Sequence, residues 1–120
     1  MITEQQLKQD CTPELIKKIV ELAEGFEWDG DEIADDKMIR TPNGYYYHVD
    51  EIIVDKTYFP FLIHRAVEGI NKKLDVFDQI VISKDKVECS MYECIYENYQ
   101  PSSLTHAECA MFHCLIEVLK

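Results

Sequence analysis

Apolar residues recur at helical spacing in three stretches of this chain and alternate or cluster between them. Leu15, Ile16, Ile19, Val20, Leu22 and Ala23 share one broad helical face. Thr12 stands ahead of them as an N-cap residue, Pro13 suits the first helical position and Glu14 the positive end of the helix dipole. Gly25 supplies the stop, and Phe26 and Trp28 are expected to pack under the helix. Thr3-Glu4-Gln5-Gln6 has capping-box spacing, so a short leading helix is expected as well. Residues 58–74 predict another helix with Pro60 near its first turn. Phe59, Ile63, Ala66, Val67, Ile70 and Leu74 fall on one narrow face, with His64, Arg65 and Glu68 on the other side. Gly69 either weakens this helix or lets a neighbour approach. A closing helix follows Leu104.

Between the helices the pattern turns to strands. Met38-Ile39-Arg40 and Tyr45-Tyr46-Tyr47-His48-Val49 flank Thr41-Pro42-Asn43-Gly44, a run of turn residues between β-prone flanks, which predicts a hairpin. Residues 51–55 either extend its second strand or cross to the next element. Residues 77–83 and 86–93 read as two more strands joined at Lys84-Asp85. Val87, Cys89 and Met91 alternate there with Glu88, Ser90 and Tyr92. Residues 97–103, with Pro101 and two serines, read as a loop. Ile80-Val81-Ile82 is apolar on both sides, as a covered strand would be. The expected fold is α+β: an α-β-α sandwich with an about four-stranded, mainly antiparallel sheet of two hairpins and helices packed on its faces. Residues 1–120 form a single domain, with no repeat, low-complexity segment or dividing linker.

Two segments carry a family resemblance. The helix ending in LAEGFEW and the closing LTHAECAMFHCLIEVL, with two hairpins separated by a helix, resemble the phage ABA sandwich domain, a family of small phage- and prophage-encoded proteins. The resemblance runs roughly over residues 15–119. It implies an α-β-α sandwich and a phage or prophage origin in a bacterial cytoplasm. It implies no activity and transfers no functional residues. The Cys and His content of the last helix departs from the alanine and apolar residues expected there, which leaves room for an extra site.

Composition narrows the classes. The chain has 120 residues, 47% hydrophobic and 29% charged, enough for one core without metal or disulfide staples. Its 23 acidic and 12 basic residues give a net charge of −11, which repels a phosphate backbone and argues against direct nucleic-acid binding. Cys11, Cys89, Cys94, Cys109 and Cys114 are odd in number and form no disulfide framework. The start, MITEQQLKQD, lacks the pattern of a signal peptide, and no apolar run approaches the ~20 residues of a membrane span. The expectation is a cytoplasmic protein with free thiols and no membrane contact.

Candidate chemistry is sparse. The acidic run EWDGDEIADD tempts a calcium reading, but a loop beginning at Asp29 would need Gly at its sixth position and Glu at its twelfth. Those positions hold Ala34 and Arg40, and a solvated acidic loop is the expectation. In the last helix Thr105-His106-Ala107-Glu108 is a capping box, and Leu104 with Cys109 matches the accompanying hydrophobic staple. Ala107, Ala110, Met111, Cys114 and Val118 share one face with Leu115 at its edge, which makes Cys114 an inert core thiol. His106, Cys109 and His113 fall on the opposite flank at i, i+3 and i+7. They are candidate zinc ligands on an outward surface, although the paired CxxC or HExxH spacing of a metal site is absent. No metal or cofactor is assigned. Cys89 and Cys94 are expected on opposite faces of one strand, unsuited to a redox pair. With no G-x-S-x-G elbow and no glycine-rich phosphate loop, no catalytic residue is assigned. Tyr45, Tyr46 and Tyr47, and the group Tyr92, Tyr96 and Tyr99, serve either core packing or a protein interface, with Tyr46 opposing Tyr45 and Tyr47.

The functional expectation is a non-enzymatic protein-interaction module of phage or prophage type, which blocks a host factor or self-associates as a homo-oligomer. One alternative is an acidic DNA mimic that occupies a nucleic-acid-binding host protein. Another is a small-molecule or metal-binding module built on His106, Cys109 and His113.

Overall fold

The structure is a computed structural model that describes residues 4–31, 36–90, 92–95 and 103–119. Its elements alternate short helices and hairpins in an α+β arrangement. Helices α1 (Glu4–Asp10) and α2 (Pro13–Leu22) lead into strands β1 (Glu27–Asp31), β2 (Asp36–Arg40) and β3 (Tyr46–His48). Helices α3 (Val49–Ile52) and α4 (Tyr58–Asn71) follow. A 3₁₀ turn at Val76–Asp78 precedes β4 (Val81–Ile82), β5 (Lys86–Cys89) and β6 (Tyr92–Ile95), and α5 (His106–Leu119) closes the order.

The helix boundaries follow from local chemistry. Thr12 Oγ1 accepts the Leu15 N–H at 3.3 Å and Pro13 opens α2. Gly25 ends that segment with a positive φ of 91°. Asp55 starts α4, its Oδ1 accepting the N–H groups of Thr57 (2.9 Å) and Tyr58 (2.7 Å). Helix α4 packs against both α2 and α5. Its buried face is therefore wider than the sequence stripe: Leu62 joins Phe59, Ile63, Ala66, Val67 and Ile70, while Leu74 lies beyond the helix end. Gly69 proves to be a close approach, since a Cβ there would collide with the backbone carbonyl of Leu22 on α2. Phe59 and Phe112 meet edge-on at 5.9 Å between α4 and α5.

The sheets depart from expectation. In place of one four-stranded sheet there are two three-stranded antiparallel sheets, ordered β1-β2-β3 and β4-β5-β6. The extra strand in the first is β1, from the acidic run expected to be a loop. It pairs with β2 in a register that sets Trp28 opposite Ile39 and Glu27 opposite Arg40. Trp28 packs onto the core, and Glu27 accepts a 3.3 Å bond from Arg40 Nη1, so an acidic segment is tolerated with one anchored face and a cross-strand cation. Residues 32–35 of that run lie outside the described residues. The β2–β3 hairpin is as expected, its turn tied by Thr41, whose N–H donates to Tyr45 O (2.8 Å) and whose Oγ1 accepts the Tyr45 N–H (3.1 Å). Residues 51–55 neither extend β3 nor cross as a strand, because the chain coils into α3 directly after it. Glu51 accepts the His48 N–H (3.1 Å) at that entry.

In the second sheet the expected strand at 77–83 shrinks to Val81–Ile82, since the preceding residues close a 3₁₀ turn. The expected single strand at 86–93 is two strands. Ser90 adopts φ 50°, the chain reverses, and Cys89 pairs with Tyr92. The first sheet packs on α2 and α3, the second on α5, and α2, α4 and α5 touch one another. Helices thus occupy the middle and sheets the flanks, the reverse of a sandwich around one sheet. The buried apolar residues of all these elements form one cluster. Among the described residues no helix is long and apolar enough to cross a membrane.

Candidate functional site

The richest concentration of reactive side chains lies where α5 covers the second sheet. The start of α5 follows the sequence: the Thr105 N–H donates to Glu108 Oε1 (2.9 Å), and the Glu108 N–H donates to Thr105 Oγ1 (3.2 Å). Leu104 and Cys109, the staple pair, are both buried. Glu108 also binds His64 Nε2 on α4 at 2.9 Å through its second oxygen. Because α5 contacts α4 on one side and β5 and β6 on another, most of its circumference is covered.

That geometry separates the three proposed zinc ligands. His106 is exposed, Cys109 is buried in the core, and His113 is half-buried with its ring edge-on to Phe112 at 6.4 Å. Cys109 therefore does not sit on an outward flank. Among the described residues no group of three His, Cys, Asp or Glu side chains is placed to hold a metal ion.

A different cluster forms instead. Cys89, Cys94 and Cys114 converge under α5, all buried. Cys89 and Cys94 were expected to point apart on one strand. The reversal at Ser90 resets the alternation, Val87 pairs with Cys94, and both thiols face α5. Cys89 Sγ donates to Cys114 O (3.8 Å) and Cys114 Sγ donates to Val87 O (3.7 Å). Contact with Cys94, then burial, holds the Cys114 thiol far above its ordinary range, and burial raises Cys89. A hydrogen bond with Cys94, then burial, likewise keeps the Tyr92 hydroxyl protonated. Only a thiolate is a nucleophile or a good metal ligand, so Cys89 and Cys114 fill space and donate weak hydrogen bonds.

Beside the cluster lies a cavity of about 460 Å³, lined by Leu74, Asp78, Cys89, Ser90, Tyr92, Glu117 and Val118. Its walls are apolar and aromatic, with two carboxylates. Next to it the chain leaves large apolar side chains in water. Phe77 is 93% exposed, Val76 76%, and Val81 and Ile82 48% each. β4 is the outermost strand of its sheet, and among the described residues no further strand pairs with it. Ile80, just before β4, has both backbone groups occupied: Asn71 Nδ2 donates to Ile80 O (3.0 Å) and the Ile80 N–H donates to Asn71 Oδ1 (2.7 Å).

No family model, curated protein or solved structure matches this chain. The reading of the site therefore rests on its chemistry.

The tyrosines divide between two places. Tyr45 and Tyr47 both lean on Tyr58, at 6.3 and 5.3 Å between ring centroids, and Asn43 Nδ2 donates to the Tyr58 hydroxyl (3.2 Å). Tyr46, on the opposite face, is exposed. Tyr92 is half-buried at the cavity, and Tyr96 and Tyr99 lie outside the described residues. The sequence pattern hides the exposed residues Val76 and Phe77, because Phe77 reads there as part of a strand whereas the chain closes a 3₁₀ turn. Their signal is the pair Val76-Phe77 held between Asp75 and Asp78, which no period of either the helix or the strand requires.

Proposed function

We propose that this chain is a non-enzymatic protein-interaction module of phage or prophage origin that works in a bacterial cytoplasm. The observation that supports this reading is the exposed apolar group formed by Val81 and Ile82 on the outermost strand of the second sheet and by Val76 and Phe77 in the turn before it. Covering a phenyl ring that otherwise faces water is worth about 1.5–3 kcal/mol, a gain that this chain does not collect internally and a partner would. Tyr45, Tyr46 and Ile95 are exposed as well, but Val76 and Phe77 are the most exposed large apolar side chains among the described residues, and such surface marks a contact site. Cys89 and Cys114 of the thiol cluster are held protonated, which agrees with a packing role for them.

The test removes the ring without touching the core. Phe77→Ser combined with Val76→Ser changes only exposed side chains, so the melting temperature is expected to stay unchanged. Crosslinked bacterial lysate is expected to yield a defined partner with the wild type that the double variant loses. Recovery of the same proteins by both forms would overturn the reading.

A small-molecule reading draws support from the cavity beside Tyr92, whose volume lies within the range of ligand pockets. The two carboxylates in its lining favour a cationic ligand. The DNA-mimic alternative has less behind it, because acids and bases are interleaved on the surface. Lys72 lies 3.9 Å from Glu24, Arg40 3.3 Å from Glu27, and Lys86 3.6 and 3.2 Å from Glu88 and Glu93.

A further inference from the structure

Three tyrosine rings and two carboxylates meet where the end of the first sheet reaches the start of α4. Tyr45 and Tyr47 stand two residues apart, on the same side of the chain. The Tyr58 ring, from the first turn of α4, touches both, at 6.3 and 5.3 Å between centroids and tilted by 56° and 45°. Asn43 Nδ2 fixes that ring from the β2–β3 turn by donating to its hydroxyl (3.2 Å). Tyr47 and Tyr58 keep one side on the core, and Tyr45 is exposed. The result is a corrugated aromatic row.

The carboxylates are Glu51 and Asp55, and the backbone holds both. Glu51 Oε1 accepts the N–H of His48 (3.1 Å), the residue after Tyr47. Asp55 Oδ1 accepts the N–H groups of Thr57 (2.9 Å) and of Tyr58 itself (2.7 Å). Each uses one oxygen on a helix start, and among the described residues no hydrogen bond or ion pair engages the other. Both charges reach the row: burial, then Asp55, then Tyr58, Tyr45 and Glu51 hold the Tyr47 hydroxyl above its ordinary range. Elsewhere the chain answers its acids with its own bases, as Arg40 does Glu27, Lys72 Glu24, and Lys86 Glu88 and Glu93. Lys56, next to Asp55 in sequence, lines a cavity with Pro60, Ser103, Thr105 and Glu108 instead.

Aromatic faces bordered by unmatched carboxylates complement a planar cation. A guanidinium stacks on a tyrosine ring and offers a fork of N–H donors to a carboxylate. An ammonium brings the charge without the flat face, and an apolar chain leaves both carboxylates unanswered. The chain itself contains such a stack on α4, where the Arg65 guanidinium lies 5.2 Å from the centre of the Phe61 ring. We propose that the Tyr45–Tyr58–Tyr47 row is a docking surface for an arginine-bearing segment of a partner protein, its guanidinium groups stacked on the rings and paired to Glu51 and Asp55. This goes beyond the interaction reading above and uses a different place. Tyr58 opens the 14-residue α4 and the Val76–Phe77 group follows its far end, about 20 Å away along the helix. The net charge of −11 draws a basic segment in.

NMR titration of the full chain with the capped peptide Gly-Arg-Gly-Arg-Gly tests this. The tyrosine ring signals are expected to shift and saturate, with an affinity about tenfold above that of the peptide carrying citrulline, which is planar but uncharged, in place of arginine. Tyr45→Ser removes an exposed ring, and Glu51→Gln with Asp55→Asn removes both charges while leaving an oxygen for each backbone N–H. Both forms are expected to stay folded by circular dichroism and to bind the arginine peptide about tenfold more weakly. The Val76→Ser/Phe77→Ser form is expected to bind it as the wild type does. No saturable shift, or equal affinity for arginine and citrulline, overturns the proposal. Unchanged affinity in folded Tyr45→Ser also overturns it, since that is diffuse attraction to an acidic surface, and so does a lysine peptide bound as tightly as the arginine one. If the peptide fails while lysate capture still depends on Phe77, the interaction reading stands and this surface alone falls.

Discussion

At the scale of single residues, the core carries two commitments that substitution can probe. Gly69 is one. The backbones of α2 and α4 meet there, and the atom in the way of a Cβ is a carbonyl, which cannot swing aside as a side-chain tip would. Gly69→Ala is expected to lower stability by about 1–3 kcal/mol, against the gain that alanine brings to an ordinary helix position. Urea unfolding followed by circular dichroism would read it, and a stabilised variant would contradict the close approach. The buried thiols are the other. Burial, then Asp10, pushes the Cys11 thiol up to about 12 from an ordinary 9.0, and burial, then Glu108, does the same for Cys109. As pH rises the unfolded chain releases these protons first and so binds fewer than the native state. Their contribution to stability is whole below pH 9 and is lost as pH rises from about 9 through about 12. Urea midpoints are expected to fall across the accessible part of that range, and Cys11→Ala with Cys109→Ala to flatten the fall. Gly69 was legible in the sequence as a weak point or a contact. The burial of Cys109 was not, because a helical wheel shows spacing but not how many neighbours surround the helix.

At the scale of elements, starts were easier to read than ends. The Thr12 cap, the Thr105–Glu108 box and the β2–β3 hairpin were each written in three or four adjacent residues, and the chain obeys them. The segments that misled were set by distant partners. Glu27–Asp31 looks like solvated loop until β2 lies beside it, and the run 86–93 looks like one strand until Ser90 turns it back. No neighbour in sequence announces either event, since a serine at positive φ is uncommon. The closing helix offers the sharpest test of a locally encoded element. Thr105→Ala removes one bond of the box and is expected to cost about 1 kcal/mol. Glu108→Ala removes the other and also the 2.9 Å link to His64 on α4, so its cost should be larger. The double variant should cost less than the sum, because the two bonds form one reciprocal unit. Thermal or urea unfolding of the three variants measures the coupling, and strict additivity would show that the box does not act as a unit.

At the scale of the whole molecule, the class was legible and the layering was not. Three amphipathic helices and β-prone hairpins say α+β whatever their arrangement. Whether helices enclose a sheet or sheets flank helices depends on which apolar faces meet. Here α4, apolar over a wide face and bearing Gly69, lets α2 come close on one side while α5 closes the other, so no strand lies between them. The strand order β1-β2-β3 and β4-β5-β6 is also the order of the chain. Every strand finds its neighbour across a short connection, and none waits for a distant segment to arrive. Contacts between more distant parts of the sequence come from helices docking on helices and from α5 docking on the second sheet. Loop-closure entropy is thus small for both sheets, and low contact order goes with rapid folding. Each sheet can close as its own stretch of chain emerges during synthesis, before α5 exists to cover the second one.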